Sequence, residues 1–138
     1  ELLGAGAGHR AQVQMLLCFL QDVRGRYTKA CYAYDQSLAE LRPELVGTYL
    51  PEKLAWLDAF LARSGGPFLT GAAVTVADLA WYDLLDQLEA LEPTLLDAWP
   101  ALRAFGAGVA QLPAIKAFLA SERFIDRPFN NLSAAWTG

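Results

Sequence analysis

The stretch whose reading decides the fold is residues 71–93, GAAVTVADLAWYDLLDQLEALEP. Thr75 and Asp78 have the spacing at which an N-cap hydroxyl accepts from the third helical amide while the acid reaches back to the cap's own N–H. Val74 before the cap and Leu79 at the fourth helical position can close over that turn as a hydrophobic staple. The pair Ser37 and Glu40 and the pair Thr94 and Asp97 match the same pattern, but only the Thr75 copy has apolar residues at both staple positions. From Val76 to Leu91 apolar residues cover more than one face: Val76, Leu79 and Ala80 on one side, Trp81, Leu84, Leu85, Leu88 and Leu91 on the other. A helix apolar most of the way round is a buried one, so this segment is expected at the centre of a helical bundle. Glu92-Pro93 ends it, because proline cannot continue the hydrogen-bond ladder.

The chain around that helix is long enough for one core. At 138 residues it forms a single domain, 1–138, that can bury roughly two thirds of its unfolded surface without a metal or a disulfide. A hydrophobic fraction of 54% with 19% charged residues excludes a disordered chain, and the apolar runs are too short to span a bilayer. A net charge of −4 with no clustered basic face argues against nucleic acid as a partner. Cys18 and Cys31 fall on one helix, about 20 Å apart at 1.5 Å per residue, so they cannot pair with each other. Both read as small buried hydrophobes, and two free thiols fit a reducing compartment. The single His9 has no partner at ligand spacing, so no metal site and no Ser-His-Asp or Cys-His arrangement is expected.

Ahead of the central helix, a small-residue lead-in over residues 1–8 gives way to a long helix from about His9 to Tyr32. Val13, Leu16, Leu17, Leu20, Val23, Tyr27, Ala30 and Cys31 step by three and four and face the core. A second row, Gln14, Cys18, Gln21, Gly25, Thr28 and Tyr32, is polar, small and aromatic. Gly25 costs roughly 1 kcal/mol against alanine in mid-helix, and its missing side chain leaves room for a neighbouring helix or a ligand. Ser37 and Glu40 cap a second helix that restarts at Leu50-Pro51 and runs to Leu61 or Arg63, with Leu50, Leu54, Leu57 and Leu61, and Trp56 and Phe60 alongside, forming its buried face. Gly65-Gly66-Pro67 stops it. After the central helix, Asp97 is expected to cap a helix from about Pro100 to Gln111, and Pro113 opens a short one with Ile115, Phe118 and Leu119 apolar. The remainder, residues 122–138, has no period but carries Phe124, Phe129 and Trp136, which suggests a tail pinned over the bundle. No strand, repeat or phosphate loop is evident. The class is all-α, with five to six helices.

In this layout the chain resembles the C-terminal helical domain of glutathione transferases, and specifically the mu class. The likeness runs through Pro51-Glu52-Lys53-Leu54, the block from Ala80 to Gln87, Glu92-Pro93 with Leu96 to Pro100, and Ser121, Arg123, Phe124, Arg127, Pro128 and Trp136. The Thr75 cap belongs to transferase-like folds at large; Tyr82, Asp83, Asp86 and Gln87 are what resemble mu. The resemblance implies an enzyme that activates the thiol of glutathione for attack on an electrophilic, apolar substrate. It also implies a thioredoxin-like N-terminal domain that supplies the activating tyrosine, a domain not represented here. A chain opening on Glu1 is expected to be part of something longer, cytoplasmic, or delivered to an organelle with a transit peptide removed.

Carried over by resemblance, Tyr32 is the catalytic candidate, a phenol that bonds or protonates the electrophile as charge develops. Asp22 corresponds to an acid that contacts the glutamyl amine of glutathione on the other subunit, and Arg24 to a substrate-site arginine. Gln21 and Gly25 stand where methionines are usual, Asn130 near a position usually aromatic, and the segment after Tyr32 is longer by about three residues. Glutamine, glycine and asparagine in place of thioethers and a ring make the expected substrate wall, which also includes Arg24 and Thr28, wider and more polar than the family's. No cofactor is expected on this chain alone; glutathione is the co-substrate of a full-length, homodimeric enzyme. The alternative is a transferase-like docking or scaffold module whose pocket is idle, and a third reading is a ligand carrier without chemistry.

Overall fold

In the computed structural model, which describes residues 2–32 and 36–138, six α-helices follow one another: α1 Gly6–Tyr32, α2 Leu38–Glu44, α3 Leu50–Arg63, α4 Val76–Leu91, α5 Pro100–Ala110 and α6 Pro113–Leu119. A π-helical turn, Leu45–Tyr49, joins α2 to α3, and a 3₁₀ turn, Leu95–Ala98, precedes α5. Among the described residues the only extended pairing is an isolated bridge between Phe68 and Gly71.

Helix α4 lies between α1 and α5, as its greasy circumference demands. Trp81, Leu84, Leu88 and Ala77 are fully buried, and the indole N–H of Trp81 donates to the carbonyl of Leu16 at 3.2 Å, pinning α4 to α1. From α1 come Val13, Leu16, Leu20, Val23, Tyr27, Ala30 and Cys31, all buried in the same cluster. The opposite side of α4 is less deep: Val76, Leu79 and Ala80 are only half-buried.

The entry to α4 is a polar knot. The reciprocal box of Thr75 and Asp78 forms, and both residues are completely buried. The Asp78 carboxylate accepts the Thr75 N–H at 2.7 Å and its hydroxyl at 2.8 Å, while the other oxygen takes the Leu69 N–H at 2.7 Å. That third bond ties the connector between α3 and α4 to the helix start. The connector itself is shaped by glycine: Gly65 has φ +72, and a Cβ at Gly66 would sit 2.4 Å from the Gly71 backbone. The lead-in is fastened to the same corner. Leu2 offers its carbonyl to the first N–H of α4 at 2.9 Å, and the His9 ring takes the Ala5 N–H and meets the Thr70 hydroxyl at 2.8 Å.

The restart at Leu50-Pro51 is a change of ladder. Pro51 has no N–H to donate, and at the residue before it the Leu50 N–H reaches back five residues to the Leu45 carbonyl. Ser37 and Glu40 close their capping box on α2. Asp97, in contrast, does not cap α5: Trp99 occupies the N-cap without a side-chain bond, and the Asp97 carboxylate pairs with Arg103 at 3.0 Å. An arginine one turn into the helix is a stronger partner for that carboxylate than its backbone amides. Two other expectations fail on exposure. Trp56 is 39% exposed, stacked with Phe60 and edge-on to Phe19, because α3 packs only its leucine stripe inward. Cys18 is exposed, one helical step off the stripe that buries Cys31.

Candidate functional site

The candidate site is laid out along one flank of α1, where a step of three or four residues brings Gln21, Gly25, Thr28 and Tyr32 into one row. Gln21 and Gly25 are exposed, and Thr28 and Tyr32 are half-buried. Added at Gly25, a Cβ would meet nothing within 4 Å among the described residues, so none of the described helices claims the space that the glycine leaves. The row is an open wall rather than a helix contact.

Arg24 stands at the edge of that wall, held from α4. Its Nη2 lies 2.7 Å from Asp83 Oδ2, and the same oxygen accepts from Gln87 Nε2 at 3.0 Å. Both partners are partly solvated, so the pair fixes direction more than it adds stability. Asp22 lies on a different flank. Its carbonyl accepts the Tyr49 hydroxyl at 3.3 Å, and Lys53 sits over the Tyr49 ring, 5.2 Å from its centroid. The fold therefore groups Gln21, Arg24, Gly25, Thr28 and Tyr32 and leaves Asp22 apart.

The tail closes the far end of the row. The Tyr32 hydroxyl accepts the Asn131 N–H at 3.1 Å. Asn130, expected on the substrate wall, has its side-chain amide divided between the Tyr27 hydroxyl at 3.1 Å and the Trp136 carbonyl at 3.2 Å. Phe129 and Asn130 both donate their N–H to the Thr137 carbonyl, and Trp136 donates to the Cys31 carbonyl at the end of α1. The Trp136 ring meets Tyr27 edge-on at 6.1 Å. The additional residues expected just after Tyr32 fall on positions 33–35, outside the described residues.

Burial pushes the Tyr27 phenol far above its ordinary value, with the adjacent Cys31 thiol adding to the rise. Burial also raises the Cys31 thiol, which keeps it protonated and unreactive. Across α4, Tyr82 and Asp86 are both pushed up, chiefly by burial and then, in Tyr82, by the neighbouring carboxylates of Asp86 and Asp83. They border a groove of about 290 Å³ against α5, rimmed by Glu89 and Arg103. A larger groove of about 700 Å³, between α3 and α5, is walled by Leu61, Pro67, Phe68, Ala104 and Phe105 and carries no titratable side chain, so it offers packing and no chemistry. Among the described residues no three His, Cys, Asp or Glu side chains group to hold a metal, and no helix is long and apolar enough to cross a membrane.

Three contributors escaped the reading by residue pattern. Tyr27 sits in the apolar stripe, where an aromatic ring reads as core and its hydroxyl goes unnoticed. Asp83 supports Arg24 across 59 residues, and Asn131 supports Tyr32 across 99; nothing local signals either.

The all-α fold is that of a known class: the chain belongs to the glutathione S-transferase C-terminal domain family, whose model, "Glutathione S-transferase, C-terminal domain", matches residues 21–122. Within it the likeness is to the mu class. The chain is 37% identical over 137 residues to Glutathione S-transferase Mu 1 of Oryctolagus cuniculus, covering 99% of this chain and 61% of that protein. It is 35% identical over 136 residues to Glutathione S-transferase Mu 2 of Homo sapiens, covering 99% and 60%. Solved structures with the same fold include the pi-class glutathione S-transferase of Onchocerca volvulus, with a TM-score of 0.74 at 28% identity over 85% of this chain and 56% of that one. Another is rat hPGDS complexed with a quinoline, with a TM-score of 0.77 at 28% identity over 86% and 58%. The chain thus spans about three fifths of the length of these curated relatives.

Proposed function

We propose that this chain is the substrate-binding half of a mu-like glutathione transferase, which joins glutathione to an electrophile through a new carbon–sulfur bond. The observation that carries the proposal is the open row from Gln21 to Tyr32, ending in a phenol that is neither sealed in the core nor loose in solvent. A thioredoxin-like domain, attached or supplied as a partner chain, binds glutathione and generates the thiolate. The electrophile lies along Gln21, Gly25 and Thr28. Tyr32 then donates a hydrogen bond to the oxygen or leaving group on which charge develops, a contribution made in the transition state.

Arg24, steered by Asp83, sets the polarity of the rim. In this reading Asp22, exposed on its separate flank, meets the glutamyl amine of glutathione bound to the other subunit of a homodimer. The compartment fitting this chemistry is the cytoplasm, or an organelle rich in glutathione.

A wall carrying Gln21 and Gly25 in place of thioethers, with Thr28 beside them, favours polar electrophiles over aryl halides. The test compares conjugation of 1-chloro-2,4-dinitrobenzene with that of a small polar enal such as acrolein by the full-length protein. Preferential use of the enal is expected, with Tyr32→Phe reducing kcat about 10- to 100-fold. Equal or better use of the aryl halide rejects the substrate preference. No conjugation of either, with glutathione bound, rejects the enzyme reading in favour of a docking module.

A further inference from the structure

The tail and the end of α1 are joined by a chain of contacts that the proposed reaction does not by itself require. Tyr27 is 1% exposed, yet its hydroxyl points to the tail and accepts from Asn130. The same Asn130 amide binds the Trp136 carbonyl, closing a loop whose other bonds run from Phe129 and Asn130 to Thr137. The next residue, Asn131, gives its main-chain N–H to Tyr32 Oη. A buried polar group is costly without a partner, so the loop and the Tyr27 hydroxyl hold each other in place.

We propose that Tyr27 and Asn130 are positioning residues: they clamp the tail loop so that the Asn131 N–H fixes the Tyr32 hydroxyl at the end of the substrate wall. Asn130 thereby serves the orientation of the phenol rather than lining the pocket. The bond from Asn131 does two things. It restricts rotation of the phenol, and by donating to the oxygen it makes the Tyr32 O–H a better donor toward an incoming electrophile. The inference rests on the proposed role of Tyr32, but the clamp is testable without it.

The first measurement is amide hydrogen exchange on this chain. In Asn130→Ala and in Tyr27→Phe the N–H groups of Asn131 and Trp136 exchange at least about tenfold faster, while those of α4 are unchanged. Unchanged exchange at Asn131 overturns the clamp. The second is steady-state kinetics of the full-length transferase. Either variant lowers kcat about tenfold with KM nearly constant, and the double variant is no worse than the single ones, because both cut the same chain of contacts. Leu132→Ala, on an 84% exposed tail residue outside the chain of contacts, leaves both readouts unchanged.

The failures are separable. If Tyr32→Phe itself leaves kcat intact, the role of Tyr32 is wrong. If Tyr32→Phe lowers kcat while Asn130→Ala and Tyr27→Phe do not, the positioning inference is wrong and the role of Tyr32 stands.

Discussion

Two polar knots fasten segments of this chain to its apolar core, and they are built on opposite principles. The knot at the head of α4 is local: Thr75, Asp78 and Leu69 lie within nine residues, and the carboxylate is fully buried under three donors. The knot at the end of α1 is remote: Tyr27 and Asn130 meet across 103 residues, at the boundary between core and surface. The first decides whether α4 starts in the right place, and so whether there is a bundle at all. The second decides only how the tail lies against a finished bundle. Loss of the first should therefore act on stability, and loss of the second on the shape of the site.

The largest expected effect is at the first knot. Asp78→Ala strips three donors of their acceptor inside the core and should cost about 3 kcal/mol or more, read as a fall in the midpoint of urea unfolding. A loss under about 1 kcal/mol would mean that the buried carboxylate is not holding the helix start. Asn130→Ala, by contrast, should cost about 1 kcal/mol, since its partners lie near the surface and can turn to water. If the two substitutions cost the same, the contrast between the knots is false.

The second knot also has a pH signature. In the folded chain burial keeps Tyr27 and Cys31 neutral to higher pH than in the unfolded chain. Below the unfolded value of about 10 for tyrosine, the contribution of Tyr27 to stability is fully present. It is lost as pH rises above that, because the unfolded chain releases the proton first, with a slope of up to about 1.4 kcal/mol per pH unit. Tyr27→Phe should flatten this alkaline loss when unfolding midpoints are compared between pH 8 and 11. The thiols sharpen the point more gently. Cys18 should be alkylated by iodoacetamide in the native chain and Cys31 only on unfolding, as peptide mass spectrometry would show. The smallest effect is expected at Asp83→Asn, about 0.5 kcal/mol or less, because the Arg24 pair is partly solvated. A much larger loss there would make this pair a third knot.

The same contrast explains what was legible in the sequence. The box at Thr75, the apolar circumference of α4 and the glycine stop after α3 are written in adjacent residues, so the all-α bundle followed from them. The row from Gln21 to Tyr32 was readable as a flank because helical spacing alone places it. The half-exposed Trp56 was not: its position on α3 suits burial, and only the direction of the leucine stripe leaves it outside. Asp97 matched a cap on paper, but Arg103, one turn into α5, draws its carboxylate away. The bonds of the Asn130 amide to Tyr27 and Trp136 were not readable, because nothing in the sequence says that a tyrosine in the core stripe keeps its hydroxyl pointed at the tail. Contacts across a hundred residues have no local period or motif to betray them, and that is where the site's fine geometry lies.

The most direct test of the proposed function is a crystal structure of the full-length protein with a glutathione conjugate bound. The electrophile-derived half is expected along Gln21, Gly25 and Thr28, with a polar atom within hydrogen-bond distance of Tyr32 Oη and the Asn131 N–H still on that oxygen. A conjugate seated instead in the apolar groove between α3 and α5, with Tyr32 facing empty solvent, would contradict it.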